Sequence, residues 1–205
     1  MNPAANKTEI FTIGHSNHEL SRFTAFLKQH RIDVLADVRS QPYSQFNPQY
    51  NRETLATSLK SIGINYIFLG TELGARRNER ECYIHGKADY HEIAKLPLFV
   101  HGLDRLRKDA RTNRIAIMCS EKDPITCHRN ILVCRNLRGP DITISHITAD
   151  GSLEPNEAAE TRLLKLMGLC EHDLFVSRQD MIEQAYDLQG ASIAYVKQAR
   201  PAGTF

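Results

Sequence analysis

The stretch Ile115-Ala116-Ile117-Met118-Cys119-Ser120-Glu121-Lys122-Asp123-Pro124 decides how the chain is read. Its first five residues form an uninterrupted apolar run of the length of a buried strand. Asp123-Pro124 then has the form of a helix start, with an acceptor side chain at the N-cap and proline at the first helical position. A strand that feeds a helix is half of a parallel β-α-β unit, and the same alternation continues on both sides. Upstream, residues 9–14 read as a strand, and Leu20, Phe23, Phe26 and Leu27 as one face of a helix. A second strand spans 32–38, and a polar loop with two prolines spans 40–51. A helix over 52–62 has Asn51 as its expected N-cap, and a third strand spans 64–69. Residues 70–89 have no clean period, and residues 90–109 read as one or two helices broken at Pro97. Downstream, the Asp123-Pro124 start predicts a continuous helix to Leu137, stopped by Gly139-Pro140. A fifth strand over 142–147, a turn at Asp150-Gly151 and a helix over 157–169 follow. A capping box at Ser177 and Asp180 opens a last helix to Leu188.

Strands joined by helix-length crossovers must run parallel. The expected fold is therefore a three-layer α/β domain, a mostly parallel sheet with helices on both faces, of Rossmann-like or rhodanese-like topology. The expected organisation is an N-terminal tail over 1–8, an α/β core over 9–150, and a helical extension over 151–205 packed on the same domain. Ligands bind such sheets outside the carboxyl ends of the strands. Here those ends carry Gly14-His15-Ser16, Asp37-Val38-Arg39, Gly70, Cys119-Ser120 and His146.

Composition narrows the class. With 205 residues, 41% hydrophobic and 24% charged, the chain has the make-up of a globular protein. Its longest apolar runs are strand-sized, so no membrane partner is expected, and the N-terminus lacks the pattern of a signal peptide. Five scattered cysteines argue against a secreted disulfide framework and for a cytoplasmic location. A formal net charge of +2 does not mark a nucleic-acid binder, although Arg76, Arg77 and Arg80, and the arginines near 105–114, form local clusters. The second cluster reads first as a solvated helix face. No glycine-rich phosphate loop or dinucleotide fingerprint is present, so no cofactor is expected.

Three co-linear motifs resemble the family known as domain of unknown function 488 (DUF 488). They are Thr12-Ile13-Gly14-His15-Ser16, then Asp37-Val38-Arg39 with Pro42-Tyr43-Ser44 and Phe46-Asn47-Pro48, then Cys119 to Pro124 with Cys127-His128-Arg129. The resemblance covers about residues 9 to 150 and implies an intracellular α/β protein without an assigned activity. Some members are labelled as related to DNA repair.

Cys119 ends a strand ahead of a helix N-terminus, where backbone N–H groups stabilise a thiolate. It is therefore expected to be partly accessible, with a depressed thiol pKa. The layout resembles rhodaneses and cysteine phosphatases, but their anion cradle of small residues is replaced here by Glu121 and Asp123, whose charges oppose a thiolate. The sequence-based candidates for catalysis are His15, Cys119 and His128. The candidates for holding an anionic small molecule or nucleotide-like substrate are Asp37, Arg39, Tyr43, Ser44 and Arg129. His15, Arg39, Cys119 and Arg129 are expected to converge on one pocket. No metal is assigned. On a regular helix Cys127 and His128 point about 100° apart, so a zinc site would need His15 or His146, and Cys127 reads first as a small hydrophobe facing the sheet. The alternative function is a nucleic-acid-binding module in which Tyr43, Phe46 and Tyr50 stack on bases. Cys82, Cys134 and Cys170 read as structural. The oligomeric state is left open.

Overall fold

Strands covered on both faces bury every residue, and the strands formed at residues 34–37 and 115–119 do so. The computed structural model describes residues 7–170 and 175–197. The elements in chain order are β1 (Thr8–Gly14), α1 (Leu20–Gln29), β2 (Val34–Asp37), α2 (Arg52–Lys60), β3 (Asn65–Phe68), α3 (Gly70–Leu73), β4 (Tyr83–Ile84), β5 (Lys87–Ala88), α4 (Tyr90–Lys95), α5 (Pro97–Asp109), β6 (Ile115–Cys119), α6 (Arg135–Leu137), β7 (Ile142–Ile147), β8 (Leu153–Pro155), α7 (Asn156–Leu166) and α8 (Arg178–Ile193). The sheet order is β3-β2-β6-β1-β7-β8, parallel throughout except for β8, which returns antiparallel to β7. The expected three-layer α/β architecture is present. The dinucleotide-binding order 3-2-1-4-5-6 is not, because β6 is inserted between β1 and β2.

The period of two sorts side chains onto two cores. Phe11, Ile13, Leu35, Ala116 and Met118 face α1 and α2, against Phe23, Leu27, Leu55 and Leu59. Ile10, Val34, Ala36, Ile115, Ile117 and Cys119 face the other layer, against Phe99 and Leu103 of α5 and Ile131 and Leu132. Leu163, Leu164, Ile182 and Ala185, from α7 and α8, complete this second core, so the C-terminal helices share the core of the sheet. The chain thus leaves β1 and β2 toward one face and β6 toward the other. This arrangement defines a topological switch point, and a crevice opens there at the carboxyl end of β6.

Several local expectations change. Pro97 does separate two helices, α4 and α5. The period-free segment 70–89 contains α3 and the short β4–β5 hairpin. The last helix runs to Ile193 instead of Leu188, and β8 was not foreseen, being only three residues long. Most of the expected N-terminal tail, residues 1–6, lies outside the described residues.

The continuous helix expected from Pro124 is not formed. Asp123 does cap, accepting from the N–H of Ile125, but only a 3-10 turn follows, Pro124–Thr126. The backbone at Cys127 is extended, with φ −132° and ψ 139°. A π-helical stretch, Arg129–Cys134, then leads into α6. Such π segments are rare and concentrate at functional sites.

Candidate functional site

The extended residue at Cys127 builds the site. It lets Cys127 and His128 turn back toward the end of β6, which a regular helix would forbid. One potential ligand atom each from Cys119, Glu121, Cys127 and His128 lies within 4.8 Å of the other three. Glu121 Oε2 is 3.0 Å from Cys119 Sγ and 2.9 Å from Cys127 Sγ. His128 Nδ1 lies 3.5 Å from Cys119 Sγ, and its Nε2 is hydrogen-bonded to the carbonyl of Val38 at 3.0 Å. Cys127 is buried in the core as expected, but its thiol also meets Glu121, and it does share a centre with His128.

Burial sets the electrostatics of this cluster. Burial first, then its hydrogen bond to Cys127 and the charges of Cys127 and Glu121, holds the Cys119 thiol well above its ordinary pKa. Burial also raises the Glu121 carboxyl, helped by Cys127. Cys127 is the group held low: burial opposes its ionisation, but the hydrogen bond it accepts from Cys119 and the charges of Arg129 and His128 outweigh it. His128 is raised, because Cys127 and Glu121 overcome the opposing effect of burial. Cys127 and Glu121, 2.9 Å apart, oppose each other's ionisation, and of the two Cys127 is the one whose anion is favoured. The expectation for Cys119 is thus reversed, since it is 3% exposed and its thiol is pushed up. The opposing charge of Glu121 was legible in the sequence; Asp123 instead turns away to pair with Arg162 at 2.9 Å.

On the opposite face of the sheet, at the same edge, Asp37 and Arg39 form a buried ion pair of 2.6 Å. Arg39 Nη2 also donates to the Tyr50 carbonyl, Nη1 lies 3.2 Å from His15 Nε2, and the Tyr66 hydroxyl donates to Asp37. His15 stacks on Tyr50 with ring centroids 4.2 Å apart. Burial first, and Arg39 next, pushes the His15 pKa down to about 4. His15 is therefore a neutral prop for Arg39, enclosed beneath it. Tyr50, expected to stack on a base, is fully buried.

Above both groups lies a cleft of about 500 Å³, a volume suited to a small molecule. Cys119, Glu121 and His128 border it on one side, and Arg39, Tyr43, Ser44 and Arg76 on the other. Among the described residues, Arg76 is held by Gln41, the Ser40 hydroxyl and the ring of Tyr195, not by a carboxylate. Arg77 is buried and bound to Glu79, so it does not join Arg76. On α5, Arg105 and Arg107 pair with Glu72, Asp109 and Asp104, as a solvated helix face does. Asn51 occupies the expected N-cap, but its side chain accepts from the N–H of Ser44 and so shapes the cleft wall.

The expected convergence is met for Arg39 and Cys119. It is not met for His15, which lies beneath Arg39, or for Arg129. Arg129 is fully buried and donates to the carbonyls of Glu121 at 2.6 Å and Lys122 at 3.2 Å. Its Nε reaches Thr12 Oγ1 at 3.4 Å, and Thr12 bonds in turn to His146. Arg129 thus fixes the loop that carries Glu121. Gly14 permits that loop to pass, because a Cβ there would lie 1.9 Å from the Glu121 carbonyl oxygen. His146 is bound to Thr12 and Asn156, so neither it nor His15 joins the cysteines. Glu121 and the pairing of Cys127 with His128 are what sequence reasoning missed; the signal was the spacing Cys119-x-Glu121 followed by Cys127-His128.

Fold and site together define a parallel α/β protein with a Cys/Glu/His cluster at its topological switch point. The family described as domain of unknown function DUF488 matches residues 19–135, more than half of the chain, and the chain belongs to that family. No curated protein and no solved structure matches it. Among the described residues, no helix is long and apolar enough to cross a membrane.

Proposed function

We propose that this chain is an enzyme that takes an anionic small molecule, or the charged end of a nucleotide-like substrate, into the cleft. The Cys119–Glu121–Cys127–His128 cluster is its reactive centre. One juxtaposition carries the reading: three members of that cluster border the same small-molecule-sized cleft as Arg76 and Arg39. Arg39 is braced by Asp37, Tyr50 and His15, which orients a planar donor fork without conformational freedom. Arg76 supplies the less neutralised charge at the mouth, and Ser44 and Tyr43 add hydroxyl groups along the same wall.

A thermal-shift panel of inorganic phosphate, nucleoside phosphates and dicarboxylates tests this reading. A ligand present at a hundred times its Kd stabilises the folded state by about 2.7 kcal/mol. At least one class is expected to raise the melting temperature, less so at high salt, and to lose its effect in Arg76→Glu. The ligands that bind then become candidates for turnover. If every anion leaves the wild-type melting temperature unchanged, the cleft is not an anion site and the reading is wrong.

Exposure of Tyr43 (58%) and Phe46 (93%) on the loop beside the cleft favours a second reading, in which single-stranded nucleic acid stacks there. Binding would be weak and would fall with salt. Titrating labelled single-stranded DNA and RNA at low and high salt, with Phe46→Ala as the control, separates it from the first.

A further inference from the structure

We propose that Cys119, Glu121, Cys127 and His128 form a binding site for one zinc-class divalent cation. The inference goes beyond the enzymatic reading and does not depend on what the cleft binds. Two thiol sulfurs, one imidazole nitrogen and one carboxylate oxygen are the donor set that selects zinc over magnesium or calcium. Zinc–sulfur bonds near 2.3 Å and zinc–nitrogen or –oxygen bonds near 2.1 Å place tetrahedral ligands about 3.6 Å apart. His128 Nδ1 and Cys119 Sγ are already 3.5 Å apart. The two sulfur–carboxylate contacts, at 3.0 and 2.9 Å, need to widen by roughly 0.6 Å to reach that spacing. Glu121 is the ligand that can give, because its side chain borders the cleft.

The outer contacts fit as well. A histidine that binds metal through one nitrogen usually donates its other N–H to a carbonyl or carboxylate, which fixes its tautomer. Val38 O does this for Nε2 and leaves Nδ1 for the cluster. Arg129 anchors the Glu121 and Lys122 carbonyls, and its backbone N–H points at Cys127 Sγ at 3.4 Å, a donor suited to a thiolate. All four ligands come from ten residues spanning the end of β6 and the turn after it. The site therefore forms only once Cys127 takes its extended conformation. Binding releases to solvent whatever protons the ligands hold.

The test uses the full chain, stripped with a chelator under reducing conditions and then titrated with cobalt(II) and with zinc(II). One cobalt per chain is expected, with the intense visible bands of a tetrahedral ion and a thiolate charge-transfer band in the near ultraviolet. Zinc should displace it and abolish both. In Cys127→Ser and His128→Gln the affinity should fall by more than the 10- to 100-fold typical of losing an outer contact. Cys134→Ser and Cys170→Ser should leave it unchanged. A readout without variants guards against misfolding: zinc should raise the melting temperature of the stripped wild-type chain, as any ligand of the folded state does. Weak octahedral cobalt spectra, binding that follows Cys170, or a wild-type melting temperature unmoved by zinc each overturn the proposal. The anion panel can fail while these succeed, so the two readings are tested separately.

Discussion

Arg129→Met removes a guanidinium that is fully enclosed, and the structure sets the size of the effect. The side chain donates to Glu121 O at 2.6 Å and Lys122 O at 3.2 Å, with a longer contact to Thr12. Hydrogen bonds from a charged donor contribute about 1.5–3 kcal/mol each, so the two carbonyl bonds account for roughly 3–6 kcal/mol. Methionine fills much of the volume and avoids burying a charge, which offsets part of that loss. The carbonyls left behind are partly relieved as the loop relaxes toward water. A net destabilisation of about 3–5 kcal/mol is expected, the scale for breaking a buried charged network. For a chain of this size that is a fall in melting temperature of roughly 6–20 °C. Arg129→Lys should recover only part of it, because an ammonium group cannot span both carbonyls and Thr12. Urea unfolding under reducing conditions, followed by far-ultraviolet circular dichroism, reads the midpoint and the slope together. A loss below about 1 kcal/mol at unchanged slope would refute the claim that Arg129 holds this loop.

Two further predictions rest on neighbouring residues. Gly14→Ala places a methyl carbon 1.9 Å from the Glu121 carbonyl oxygen, and because the obstacle is backbone the loop must move; a destabilisation of about 1–3 kcal/mol is expected, with weaker cobalt binding, and wild-type behaviour in both would show that the loop does not need its close passage over β1. Burial first, then Arg129, pushes the His146 pKa down to about 3, so the unfolded chain binds this proton more readily than the folded one. Its contribution is therefore fully present above pH 6.5 and is lost as the pH falls toward 3. Between about pH 7 and pH 5 the wild type should lose roughly 2 kcal/mol more than His146→Asn, measured by urea midpoints at each pH. An equal loss in both proteins would show that His146 is not held neutral. His128, raised in the folded state, acts with the opposite sign in both proteins and cancels from the comparison.

What the residues determined alone is what depends on short-range pattern. Five long strands, the break at Pro97, the parallel sheet and the edge that carries the polar residues all follow from periodicity, caps and the length of crossovers. Even the sorting of Asp37 and Arg39 onto one face follows from the alternation of side chains along a strand. The tertiary structure decided the strand order, because inserting β6 between β1 and β2 depends on long-range pairing that no local pattern encodes. It also decided the roles at the site. Helix-start chemistry at Asp123-Pro124 predicts a regular helix, and on that helix Cys127 and His128 diverge. The fold instead extends Cys127, since Glu121 and Cys119 engage its thiol and buried Arg129 ties the same turn to the Glu121 and Lys122 carbonyls. That one backbone change turns an incidental cysteine into a cluster member and a candidate substrate ligand, Arg129, into a buried anchor. Burial completes the reversal: a strand-end thiol expected to ionise easily is enclosed next to a carboxyl and a second sulfur, and only a 3-10 turn stands where a helix terminus was expected to favour the thiolate.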